Sequence, residues 1–210
     1  RLDGIGCLEV LNKSFLIPIV YLGPIEYYSL LSKYSKSILE KHENFVKQTI
    51  RNRCFIHGAN GKLMLSVPIV NKHKSKTPIK DIRISNSEDW QRQHWKTIEA
   101  SYNNAPFFEY YRDDLQVYFK KKYQFLIDFN LEIQDVILDM LRIDSRYSFS
   151  TNYQLKHSND LRGYGFSSKK NKKYEQVFMQ TNGFMSNLSI VDLLFNIGTE
   201  SKLYLKNMDI

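Results

Sequence analysis

Residues 15–34 read FLIPIVYLGPIEYYSLLSKY, and the order of events along them decides the fold class. Phe15, Leu16, Ile17, Ile19 and Val20 make an apolar run of strand length, so a buried strand is expected over 15–21. Pro18 has no N–H to give to a ladder, which puts that strand at an edge or a bulge. Gly23-Pro24 makes the turn. Tyr27, Tyr28, Leu30, Leu31 and Tyr34 then recur at helical spacing, with Pro24 near the first helical position that proline favours. Strand, Gly-Pro turn and helix open many α/β domains, and in such folds ligands gather beyond the carboxyl ends of the strands.

Working outward, a short strand is expected over 37–40. Asn60-Gly61 is a hairpin signal, because both residues tolerate positive φ. It joins a strand ending near Ile56 to one over 63–70 in which Leu63, Leu65 and Val67 alternate. Alternation through Ile79, Asp81, Ile82, Arg83 and Ile84 predicts a further strand, followed by helices over 89–103, 106–122 and 123–142. Beyond Ile143 regularity fades. Strands are expected over 146–152 and 174–179, with loops over 71–77 and 159–173. A short helix capped by Asn187-Leu188-Ser189 carries Ile190, Leu193, Leu194 and Phe195 and stops at Gly198. The expected architecture is α/β: a single domain with a small mixed sheet flanked by helices and an irregular C-terminal segment. Residues 1–14 are expected to be an N-terminal extension, which opens on Arg1 rather than Met as a truncated start would, and 15–205 the domain.

A formal charge of +8 and a pI near 9.3 favour anionic partners such as nucleic acid, phosphate groups and nucleotide-linked substrates. Nucleic acid is disfavoured among these, because the lysine clusters fall in loops and helix ends rather than alternating with aromatics along a sheet. Cys7 and Cys54 are too few for a disulfide framework and have no CxxC spacing. The longest apolar stretch, 15–25, is interrupted by Pro18, Gly23 and Pro24 and falls far short of a membrane span. With no signal-peptide pattern, a cytoplasmic location is expected. GxGxxG, P-loop, HExxH and GxSxG motifs are absent, and the five histidines are dispersed, so neither a metal nor a cofactor is expected. Backbone N–H groups at the start of the first helix could still hold a phosphate.

His94 is the acid–base candidate, since imidazole titrates near neutral pH; it follows Arg92 and adjoins Trp95. The bland alternative is a helix histidine bonded to a neighbour. Arg51-Asn52-Arg53, preceded by Lys47, would present two guanidinium groups on one face if it lies on a strand, a clamp for phosphate or carboxylate; a solvated sheet edge is the alternative. Lys80 and Asp81 precede the helix that begins near Trp90. Asp192 and Asn196 lie four apart and share a helix face, where they would orient a ligand or simply face outward.

Taken together, PIVYLGPIEYY (18–28), HENFVKQTIRNRC (42–54), GANGKLMLSVP (58–68), IKDIRIS (79–85), WQRQHW (90–95), APFFEYYRDD (105–114), KKYQFLIDFN (121–130) and GFMSNLSIVDLLFNIG (183–198) resemble the WbqC-like protein family, in particular its short Bacteroidetes-type members. The resemblance runs from about Phe15 to Leu203. It carries the family's first motif onto Pro18, Tyr21, Pro24 and Tyr28, and its basic motif onto Lys47, Arg51, Asn52 and Arg53. The helix motif falls on Trp90, Arg92, His94 and Trp95, then Tyr102, Pro106 and Phe107. The terminal motif falls on Asn187, Ser189, Asp192, Leu194, Phe195, Asn196 and Gly198. Ile19 and Val20 depart from the small or hydroxylated residues expected after Pro18. The family takes its name from a gene of an O-antigen cluster. The resemblance therefore implies a transferase of bacterial surface-polysaccharide biosynthesis acting on a nucleotide-linked sugar or amino sugar, the alternative being a non-enzymatic anion- or nucleic-acid-binding or scaffold protein.

Overall fold

A computed structural model describes residues 13–34, 36–70, 76–144, 147–166 and 172–209. The opening stretch folds as a β-α-β unit. Strand β1 (Ser14–Pro18) leads through the Gly23-Pro24 turn into α1 (Ile25–Lys33), and β2 (Lys36–Glu40) returns parallel to β1 with Pro18 opposite Glu40. β1 is an outer strand of a three-stranded parallel sheet, and Pro18 is its last residue, which removes the conflict between proline and the ladder. The third strand, β5 (Tyr147–Phe149), pairs with β2. It is the middle of the strand expected over 146–152, whose first residue lies outside the described residues.

The hairpin is a separate two-stranded sheet of β3 (Arg53–Gly58) and β4 (Gly61–Ser66). Its turn is Ala59-Asn60, one residue earlier than Asn60-Gly61, because only Gly61 takes the positive φ, +110°, where it pairs with Gly58. Residues 79–81 do not continue as a strand. Ile79–Asp81 is a 3-10 turn, and pairing is limited to isolated bridges of Ile84 with Ile69 and of Arg83 with Phe125. The alternation was real in burial, since Ile79, Ile82 and Ile84 point inward, but no neighbouring strand supplies a ladder.

Three helices follow: α2 (Trp90–Tyr102), α3 (Phe108–Lys120) and α4 (Leu126–Met140). α3 and α4 stay distinct because Lys121 is extended and Arg83 bridges Phe125. The strand expected over 174–179 does not form; α5 (Met179–Asn182) is a single turn that buries none of its residues. Helix α6 (Ile190–Ile197) instead enters the core, with Leu193, Leu194 and Phe195 fully enclosed. A 3-10 turn at Gly198–Glu200 leads to α7 (Ser201–Lys206), which packs on α1 through Ser29 Oγ donating to the Leu205 carbonyl at 2.6 Å. Residues 187–190 zip onto the Gly23-Pro24 turn: Ile25 N–H donates to the Leu188 carbonyl and Ile190 N–H to that of Gly23. The protein is thus an α/β domain whose C-terminal segment folds back over the opening β-α-β unit.

Candidate functional site at the carboxyl edge of the parallel sheet

The carboxyl ends of β1 and β2 meet an array of buried polar side chains. Glu40 ends β2 and is fully enclosed. Its Oε1 accepts from Ser150 Oγ at 2.5 Å and from His42 N–H at 2.8 Å, and its Oε2 from Gln154 N–H at 3.2 Å. Three residues on, Glu43 takes Arg51 as a bidentate partner, with Nε to Oε1 at 2.8 Å and Nη2 to Oε2 at 2.6 Å. Arg51 Nη2 also reaches the Arg162 carbonyl at 3.1 Å, while the Arg162 guanidinium grips Asp160 and stands 3.5 Å from Glu40. Burial raises the Glu43 carboxyl above its ordinary range, opposed by the hydrogen bond and charge of Arg51.

Above this lattice, α4 aims two amides one turn apart. Asn130 Nδ2 donates to the Arg51 carbonyl at 2.8 Å, and Gln134 Oε1 accepts from Tyr27 Oη at 3.2 Å. Tyr27 Oη lies 3.0 Å from the Pro18 carbonyl, the last of β1. Among the described residues, three buried amide atoms here have no hydrogen-bond partner: Gln134 Nε2, Asn130 Oδ1 and Asn52 Oδ1. One is a donor and two are acceptors. Buried polar atoms are rarely left so, and a cluster of them marks a place where a polar ligand or water completes the bonding.

Tyr21 and His94 meet beside this array. Tyr21 Oη and His94 Nδ1 are 2.9 Å apart, and Tyr21 N–H donates to the Ile50 carbonyl. Both side chains are enclosed, with Phe129 stacked on Tyr21 and Trp90 edge-on to His94. Desolvation lowers the His94 pKa to about 4, with the Ser66 carbonyl opposing, so the ring is neutral at pH 7.

The other sequence-predicted residues divide. Arg51 and Asn52 are buried in the turn before β3 rather than on the strand, so Arg51 and Arg53 do not share a strand face; Arg51 is spent on Glu43. Tyr28 is buried in the core and Pro24 bridges Ser189. Lys47, Lys80, Asp81 and Arg92 are exposed and do not join the array, while Trp90 packs inside. The start of α1 is not open to a phosphate, because Ile25 N–H is taken by Leu188 and Glu26 N–H by Asn187 Oδ1 at 3.1 Å. Sequence reasoning missed Tyr27, Glu40, Glu43, Asn130, Gln134 and Arg162. Only the expectation that ligands lie beyond strand ends pointed toward them.

Asp192 and Asn196 face inward, in a second cluster. Asp192 accepts from Tyr102 Oη at 2.8 Å, Tyr174 Oη at 2.5 Å and Gln176 Nε2 at 2.7 Å, and Asn196 Nδ2 donates to its backbone carbonyl at 2.7 Å. His57, on β3, is joined to Asp192 through Tyr102, whose Oη accepts from the His57 backbone N–H at 3.2 Å and donates to the carboxylate. A cleft of about 820 Å³ opens beside Tyr174, between residues 172–175 and the 197–209 segment.

The fold and these sites define an α/β protein with a buried, ion-paired polar array at the carboxyl edge of a parallel β-α-β unit. The chain belongs to the WbqC-like protein family, whose model matches residues 20–169. It is 25% identical over 228 residues to the uncharacterized protein Rv1507c of Mycobacterium tuberculosis, an alignment covering 93% of this chain and 98% of that protein. No solved structure matches the chain. Among the described residues no helix is long and apolar enough to cross a membrane, and no group of three or more potential metal ligands gathers.

Proposed function

We propose that this protein is a transferase of bacterial surface-polysaccharide biosynthesis, and that it receives the sugar of a nucleotide-linked donor at the carboxyl edge of the parallel sheet. The single observation that carries the reading is the set of unpartnered buried amide atoms there, the donor Gln134 Nε2 and the acceptors Asn52 Oδ1 and Asn130 Oδ1, in an array that also holds the Arg162 guanidinium. A sugar hydroxyl both gives and accepts a hydrogen bond, so a polyhydroxylated ring matches a mixed set of planar amides and guanidinium groups better than a simple anion does. The family's association with an O-antigen gene agrees in substrate class. In this reading the Glu43–Arg51 pair holds the site in shape, and His94 acts at one remove by holding Tyr21 and the chain that follows β1.

The test is a thermal-shift panel of UDP-, GDP-, dTDP- and CMP-linked sugars. A true donor at a hundred times its Kd stabilises the native state by about 2.7 kcal/mol, a rise of several degrees. Gln134→Leu, which keeps side-chain volume and loses both polar atoms, should abolish that rise. A panel that leaves wild-type protein unmoved throughout rejects the proposal.

A further inference from the structure

Asp192 is fully enclosed and receives hydrogen bonds from neutral groups only: two tyrosine hydroxyls and one amide. Among the described residues no lysine or arginine pairs with it. A buried carboxylate without a counter-charge is costly, and mutual burial of the cluster makes it more so. Beside it, His57 is 1% exposed; the Gln176 amide stands by its ring, but neither ring nitrogen has a partner at ordinary hydrogen-bond distance and angle. Alternation along β3 would turn His57 outward with Phe55, but residues 176–185 lie across that face. Phe178 packs edge-on to the imidazole, and Asn182 Nδ2 reaches the Ala59 carbonyl at 2.9 Å.

The cover is fastened by the groups that cap the carboxylate. Tyr174 and Gln176 both bond Asp192 Oδ2, and Tyr174 also forms part of the wall of the 820 Å³ cleft. The volume is that of an ordinary small-molecule pocket. Its walls carry Glu175, Glu200 and Asp209 against Lys172 and Lys173, an excess of acid. Aromatic rings surround the approach: Tyr174 packs edge-on to Phe184 and Tyr204, and Tyr102 packs against Phe195. A carboxylate among aromatic faces is the chemistry that recognises an organic cation.

We propose that Asp192 and His57 form a binding site for a primary ammonium group, entered from the cleft beside Tyr174 and closed by Tyr174 and Gln176. The ammonium donates one N–H to Asp192 and one to the lone pair of a neutral His57, which gives the carboxylate its counter-charge and one ring nitrogen of the imidazole its partner. The residues are not those of the carboxyl edge, so either reading can fail alone.

The experiment compares glucosamine with glucose, its uncharged counterpart, by isothermal titration on the full chain. Glucosamine should bind at least tenfold more tightly than glucose to the wild type, and Asp192→Asn should erase the difference while Gln134→Leu preserves it. Equal binding of the two sugars, or a preference that survives Asp192→Asn, overturns the proposal. Should Asp192→Asn fail to fold, the His57 ring resonances of the wild type decide: they should move with glucosamine and stay still with glucose, and unmoved resonances overturn it as well.

Discussion

At the scale of single residues, the strongest commitments lie in the Glu43–Arg51 pair and in His94. Both members of the ion pair are buried and bidentate, so removing one leaves the other charged without a partner. Arg51→Met should cost about 3–5 kcal/mol in urea unfolding, and adding Glu43→Leu should return part of it, since a buried pair contributes less than its breakage costs. An unfolding free energy equal to wild type in Arg51→Met would contradict this geometry. For His94 the sign follows from its depressed pKa. Above pH 6.5 the imidazole is neutral in both states. Between about 6.5 and 4 the unfolded chain takes up the proton and the native state does not, so native stability falls with pH, by on the order of 3 kcal/mol from this group. His57, lowered in the same direction, adds to the loss, whereas the raised carboxyls of Glu43 and Asp192 gain protons earlier in the native state and oppose it. The contribution is therefore read as a difference: stability measured from pH 7 to 4.5 should decline less steeply in His94→Gln than in wild type. Parallel profiles would mean that the ring takes up its proton as readily in the native state as in the unfolded chain.

At the scale of elements, what the sequence discloses depends on whether the controlling interaction is local. Strand β1, the Gly-Pro turn and α1 were legible because apolar run, breaker and helical period all act within twenty residues. The strand over 79–84 misled because alternation reports burial, and pairing needs a partner that the window does not contain. Asn187 shows the same limit. Read locally it caps α6, yet at φ 52° its side chain turns away and caps α1 instead, with Oδ1 accepting from Glu26 N–H and Nδ2 donating to Glu26 Oε2 and to the Phe166 carbonyl. The carboxyl-edge array was illegible for that reason: Glu40, the Asn130–Gln134 pair and Arg162 come from three segments, and no spacing joins one segment to another. Two predictions belong here. Asn187→Ala removes a helix cap and strands the buried amide's partners, and should cost about 2 kcal/mol or more in chemical denaturation. Gly198→Ala sets a methyl 2.4 Å from the Phe107 ring at a backbone φ of +54°, a position closed to a Cβ on both counts. Its melting temperature should fall by several degrees, and trimming Phe107 in the same chain should restore only the steric part. A Gly198→Ala protein as stable as wild type would show that α6 ends differently.

At the scale of the whole molecule, the family match ends at residue 169, but the core does not. Ile190, Val191, Leu193, Leu194 and Phe195 are all fully enclosed; Ser189 N–H donates to the Phe55 carbonyl, and Phe107 N–H to that of Phe195. The segment thus ties the β-α-β unit, the hairpin and the helical layer to one another. Burying a large apolar side chain contributes about 1.5–3 kcal/mol, so these five alone are worth on the order of 10 kcal/mol, comparable to the whole net stability of a domain. A chain ending at residue 186 should therefore lose cooperative unfolding rather than yield a trimmed domain. Its far-ultraviolet spectrum would keep partial helix, its thermal melt would broaden, and a hydrophobic dye would bind the surface that α6 leaves bare. A sharp, two-state melt of that truncated chain would mean that the segment is an appendage. It would also remove the basis for treating Asp192 and His57 as one site, since their positions relative to each other depend on α6 lying against β3.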